Sequence, residues 1–162
     1  MPTPTYTPLA NITLGSSAAS VTFSSISQVY RDLVLVCQIF GAGSYPIITF
    51  NSDTSNTYQN VQMHGNGSDP NSQVFTFTGL GVSQSIGGSA TEPFLFTNNI
   101  MDYSATDKHK TVLTRSNRAG SGVTALVGRW PSTSAVNTVK IDGNFVNFTS
   151  GSTFALYGIA SA

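Results

Sequence analysis

The sequence predicts an all-β fold, an antiparallel β-sandwich or jelly roll in a single domain with an extended N-terminal arm. Three observations lead there. Short apolar or alternating runs recur at regular spacing, and clusters of Gly, Ser, Asn and Pro separate them. No stretch carries the 3.6-residue period over the ten or so residues that a helix needs. Only 9% of the 162 residues are charged, well under the usual quarter, and the 40% that are hydrophobic include ten Phe and six Tyr. That mixture fits pleated, half-buried surface.

The first eleven residues, with prolines at 2, 4 and 8, read as an extended arm that lies on a neighbouring subunit; Tyr6, Leu9 and Ile12 are its anchors. The sandwich then occupies residues 12–162. Ile12–Leu14 and Ala19–Phe23 are short alternating strands. Asp32 to Phe40 is the longest apolar run, ended by Gly41-Ala-Gly43. Leu33, Leu35, Cys37 and Ile39 point one way, and Val34, Val36 and Phe40 the other, with Gln38 the polar exception. One face lines a core. The second needs another layer, a curled edge or a partner subunit. Pro46–Phe50 follows as a hairpin partner.

Residues 51–72 are mostly polar loop, with Tyr58, Val61 and Met63 the residues that alternate. Gln73–Phe77 is a strand, and the Gly-rich run 79–88 is a loop. Pro93–Thr97 continues through Asn98-Asn99, a bulge candidate, to Tyr103. Lys110–Arg115 and Gly122–Trp130 read as antiparallel neighbours. Ala135–Ile141 ends at the turn signal Asp142-Gly143, Asn144–Phe148 forms a tip, and Ser152–Ile159 closes the fold.

Formal net charge is zero, so nothing steers the chain globally to nucleic acid or to anionic membrane. Five of the seven basic residues (Lys108, Lys110, Arg115, Arg118, Arg129) fall within positions 108–129 and suggest a basic edge. The lone Cys37 forms no intrachain disulfide and reads as a small core hydrophobe. No apolar segment approaches membrane-spanning length. The N-terminus lacks the regions of a signal peptide, so the expectation is synthesis in a cytoplasm without that export route.

Catalytic signals are weak. His64 and His109 sit in no metal-ligand pattern and read as loop residues. No Gly-x-Ser-x-Gly elbow precedes a helix, and the run 79–88 holds no Lys for phosphate. Asp53, Asp69 and Glu92 are the carboxylates that a hydrolytic site would draw on. The oxygens of Asn51-Ser-Asp53 and Asn66-Gly-Ser-Asp69 suit calcium in type but match no EF-hand loop, and polar turns explain them more simply. No enzyme activity, metal or cofactor is expected. Trp130 and Tyr58 are candidates for stacking on sugar rings, although a core or subunit contact is the simpler role for Trp130.

Three patches carry a family resemblance: Leu14-Gly-Ser-Ser-Ala-Ala-Ser-Val-Thr-Phe-Ser-Ser-Ile26, Tyr30-Arg-Asp-Leu-Val-Leu-Val36, and the ending Ile141 to Ile159. Together they resemble a β-sandwich of structural proteins in tailed bacteriophages, cyanophages among them. Its members are capsid decoration (cement) proteins or modules of tail fibres and adhesins. The resemblance implies a virion protein on the outer capsid surface, assembled in the host cytoplasm. It binds the major capsid protein, often as a homotrimer, and touches neither nucleic acid nor membrane. The lone-domain length and the arm favour cement. Tyr6, Leu9, Arg115, Arg118 and Arg129 are the expected capsid or subunit contacts. The alternative is a receptor- or carbohydrate-binding tail module that meets a host glycan through Tyr58 and Trp130.

Overall fold

The computed structural model describes residues 4–41, 45–68, 70–83 and 88–160. The described strands are β1 (Tyr6–Thr13), β2 (Ser20–Phe23), β3 (Asp32–Ile39), β4 (Ile47–Phe50), β5 (Tyr58–Gly65), β6 (Pro70–Phe77), β7 (Leu80–Gly81), β8 (Phe94–Met101), β9 (Lys110–Arg118), β10 (Gly122–Trp130), β11 (Val139–Asp142) and β12 (Thr153–Ile159). They form an eight-stranded sheet in the order β1-β12-β3-β8-β9-β10-β5-β6 and a four-stranded sheet in the order β2-β11-β4-β7. All described pairings are antiparallel. The result is a two-layer sandwich, consistent with a jelly-roll arrangement.

The core lies between the layers. β3 supplies Leu33, Leu35, Cys37 and Ile39, all buried, as the alternation of the central run predicts. Burial pushes the Cys37 thiol well above its ordinary pKa, which keeps it protonated and inert. From the smaller sheet come Val21, Phe23, Ile48, Phe50, Val139 and Ile141. Phe50, Tyr58 and Trp130 form an aromatic cluster: Trp130 stacks on Tyr58 at 6.4 Å and meets Phe50 edge-on at 5.5 Å.

Several local expectations need correction. The boundary between arm and sandwich, placed at residues 11 and 12, falls inside a strand. Residues 6–13 pair with β12 of the same chain, so this segment is an edge strand of its own sheet, with Leu9 and Ile12 against the core. Pro8 permits this because an edge strand leaves one row of backbone groups unpaired. β4 is no hairpin partner of β3; it crosses to the other layer between β11 and β7. Asn98 and Asn99 mark no bulge, because the register runs through them unbroken on both sides. His64 is a strand residue in β5, not a loop residue.

Lys110 is fully buried, and its ammonium donates to the carbonyls of Ala105 at 2.7 Å and Lys108 at 2.9 Å, reaching Thr133 O at 3.4 Å. One side chain thus ties the loop after β8 to the loop after β10. Burial, the largest influence, lowers its pKa.

Candidate interaction surface

Strand alternation sorts the long sheet into an inner face under β2, β11, β4 and β7 and an outer face that no other layer of the described chain covers. The sorting is unusual in β5, β9 and β10. Their inner positions include the polar Asn60, Gln62, Thr114, Ser116 and Thr124, all buried. Their outer positions include Val61, Met63, Leu113, Val123 and Val127, all exposed. Apolar residues thus lie on both sides of these strands: Tyr58, Val112, Leu126 and Trp130 in the core, and the valines with Met63 and Leu113 facing away from it.

The inner polar residues have a structural task. Residues 79–83 form little ladder of their own, so side chains satisfy their backbone. Asn60 accepts from Gly81 N at 3.0 Å and donates to Gly79 O at 3.4 Å. Ser116 donates to Val82 O at 3.2 Å, and the Thr124 and Ser83 hydroxyls lie 3.1 Å apart.

On the outer face, cross-strand pairing sets Leu113 beside Val127, Val127 beside Val61, and Val61 beside Val74. This stripe grows more exposed toward β6, from 38% at Leu113 to 82% at Val74. Arg115 pairs with Ala125 on one side of the stripe, and Arg129 with Thr111 and Gln59 on the other. β5, β6, β9 and β10 contain no Asp or Glu. Among the described residues neither arginine has an ion-pair partner, so their charges face outward uncompensated. A shallow depression of about 560 Å³ surrounds Arg115, with walls from Leu95, Thr97, Asn117, Val123 and Ala125.

The structure therefore brings Arg115 and Arg129 together on one face and separates them from the other expected contacts. Arg118 has the opposite parity: its Nε lies 3.5 Å from Glu92 Oε2, and its Nη1 donates to Gly88 O at 3.3 Å. Lys110 is internal, and Lys108 sits in a loop 3.7 Å from Asp102. The basic edge of five residues reduces to two arginines on a sheet face. Tyr6 is exposed on β1, and Leu9 is half-buried.

The two aromatic candidates for sugar stacking are inside. Tyr58 is fully buried and Trp130 is 3% exposed. The Trp130 indole donates to Asp53 Oδ2 at 2.6 Å, and the Tyr58 hydroxyl donates to Asp53 O at 3.1 Å. Both rings are structural, and neither presents a face to a glycan. Hydrogen bonds from Ser55, and then from Trp130, hold the Asp53 carboxyl below its ordinary pKa. Asn51 is engaged with Ala135 O and with the amides of Asn137 and Thr138. Asp69 lies outside the described residues. Among the described residues no group of three His, Cys, Asp or Glu side chains is placed to hold a metal ion. His109 is an exposed loop residue.

Sequence reasoning missed the outer face as a site, although the alternation of Val61 and Met63 in β5 and of Val123 and Val127 in β10 was its signal. It also missed Phe145, 97% exposed at the tip of the loop after β11. No protein-family model matches this chain, and no characterised protein sequence matches it either.

Proposed function

We propose that the chain is a structural protein of a tailed-phage virion, a capsid decoration protein that lays the outer face of β9, β10, β5 and β6 on the major capsid protein. The observation that carries this reading is the apolar stripe on that face: exposed Val61, Val74, Val127 and Leu113 flanked by Arg115 and Arg129, with no carboxylate on the four strands. A flat apolar face of this kind suits a macromolecular surface better than a small ligand, which needs a concavity. Contiguous exposed apolar patches are a common mark of binding surface. The partner is then an apolar patch rimmed by acidic groups, which the arginines both attract and orient. The family resemblance supplies the phage context. Many copies per shell give avidity to contacts that are individually weak. The reading assigns no catalysis and no cofactor.

Copy number in purified virions, measured against the major coat protein, tests this directly. A ratio near one, or a simple fraction of one, is expected. Capsids stripped of the protein should rebind it to the same ratio, less tightly as salt rises. Absence from virions, or a mere handful of copies, sinks the proposal. The glycan-binding tail reading draws no support from the buried Tyr58 and Trp130.

A further inference from the structure

The two edges of the long sheet are built differently. β1 carries Pro8 inside the strand and a break in register between Pro8 and Ala10. Both features obstruct the addition of another strand. β6 carries neither. It runs in register with β5 from Pro70 to Phe77, its only proline is its first residue, and it holds no charge. Among the described residues no strand of the small sheet covers it fully. The small sheet ends at β7, which lies over β5 and β10, so β6 overhangs it. Asn71, Ser72, Gln73 and Val74 are all exposed, and only Phe75 and Phe77 are half-covered. An unprotected edge strand of eight residues is a template for strand addition.

We propose that β6 is a homodimer strand, paired antiparallel with β6 of a second copy about a twofold axis. Three features select a second copy. The strand is uncharged, and Asn71, Ser72 and Gln73 each offer donors and acceptors, so the strand meets itself without electrostatic conflict. In the long sheet a twofold β6–β6 pair leaves only the two obstructed β1 edges, so growth of that sheet stops at two; head-to-tail pairing would require β1 as acceptor and would run on as a fibre. The stripe from Leu113 to Val74 also continues across the junction onto the partner's Val74, doubling the apolar face rather than interrupting it. This contact belongs to the isolated protein and stands independently of the capsid reading. It favours a dimer over the trimer that the family resemblance implies.

Sedimentation of the full chain across micromolar concentrations tests it. A reversible dimer is expected. Ser72→Lys with Gln73→Lys puts like charges across the pair and should raise the dimer dissociation constant by at least about 100-fold. The thermal midpoint should match wild type at concentrations where both are monomeric, because both side chains are exposed, and lose its concentration dependence in the variant. Val127→Lys, which lies on the outer face away from the edge, should leave the dimer intact. Backbone exchange gives a second readout that needs no variant: β6 amides should gain protection as concentration rises. A monomer at every concentration, a trimer, β6 amides indifferent to concentration, or a dimer broken by Val127→Lys and not by the edge lysines would each overturn the proposal.

Discussion

Val127 and Gly128 are neighbours in β10 that face opposite ways, so substitutions at the two should fail differently. Val127 is 46% exposed, between Leu113 and Val61. Full burial of a valine is worth roughly 1.5–3 kcal/mol, so covering the remaining half by a partner contributes about 1 kcal/mol. Lysine at this position would be desolvated against those neighbours at a further cost of about 2 kcal/mol or more. The sum of about 3 kcal/mol corresponds to at least about a 100-fold loss of capsid affinity. Fold stability should move by no more than about 1 kcal/mol, the span of strand propensity. Gly128 faces inward: a methyl group there would stand 2.4 Å from Leu80 Cδ2, and Leu80 is fully buried. Gly128→Ala should cost about 1–3 kcal/mol of stability, or roughly 2–4 °C of melting temperature for each kcal/mol, while affinity of the folded fraction is unchanged. Titration of stripped capsids with each variant, alongside thermal melts, reads both effects. A folded Val127→Lys protein that binds like wild type refutes the assignment of this face.

Three further outcomes follow from local geometry. The lowered pKa of Asp53 means that its carboxylate stabilises the fold at neutral pH and loses that contribution as pH falls below the unfolded value of 3.8. Asp53→Asn should therefore flatten the acid limb of a stability–pH curve measured by urea unfolding, and an identical acid limb would count against the role. Lys110→Met should leave the carbonyls of Ala105 and Lys108 short of a partner and cost about 1–3 kcal/mol, with faster proteolysis in the loop at 104–109. Phe145 holds φ +77° beside Asn144 at +54°, a region that penalises side chains by roughly 1–2 kcal/mol. Phe145→Gly should raise the unfolding free energy by up to about 1 kcal/mol after glycine's entropic cost, seen as a higher urea midpoint; a lowered midpoint would mean that the ring packs on something.

What was legible in the sequence follows from where alternation and burial agree. β3, β8, β9 and β10 were readable because their runs are long and turn residues bound them. The core role favoured for Trp130 holds, and its parity with Leu126 and Gly128 puts it inside; only the alternative of a sugar platform at the strand end before Pro131 fails. The pairing of β4 was not readable, because the chain gives no local sign of which layer a strand of four residues joins. β1 was read as an arm because its prolines forbid a central strand; an edge strand satisfies the same restriction. The alternative sugar site fails because a place near a loop or a strand end does not imply exposure: Asp53 supplies the polar partner that lets Trp130 and Tyr58 be buried.

The exposed valines of β5 and β10 connect sequence to function most directly. A one-residue slip in register would turn Val61, Met63 and Val127 inward, but would turn Tyr58, Leu126 and Trp130 outward together with Asn60, Gln62 and Thr124. The slip is blocked from within. Asn60 must meet the 79–81 backbone, Thr124 must meet Ser83, and Gly128 must leave room for Leu80. Moving the strands by one residue would break those bonds and drive a side chain into Leu80. The interior thus fixes the register, and the register holds the valines in water. Exposed valines between two unpaired arginines represent unrealised burial of about 1 kcal/mol each. That burial becomes available only when a second surface arrives. The low charge of the chain points the same way, because a face meant to be covered carries few groups that are costly to desolvate.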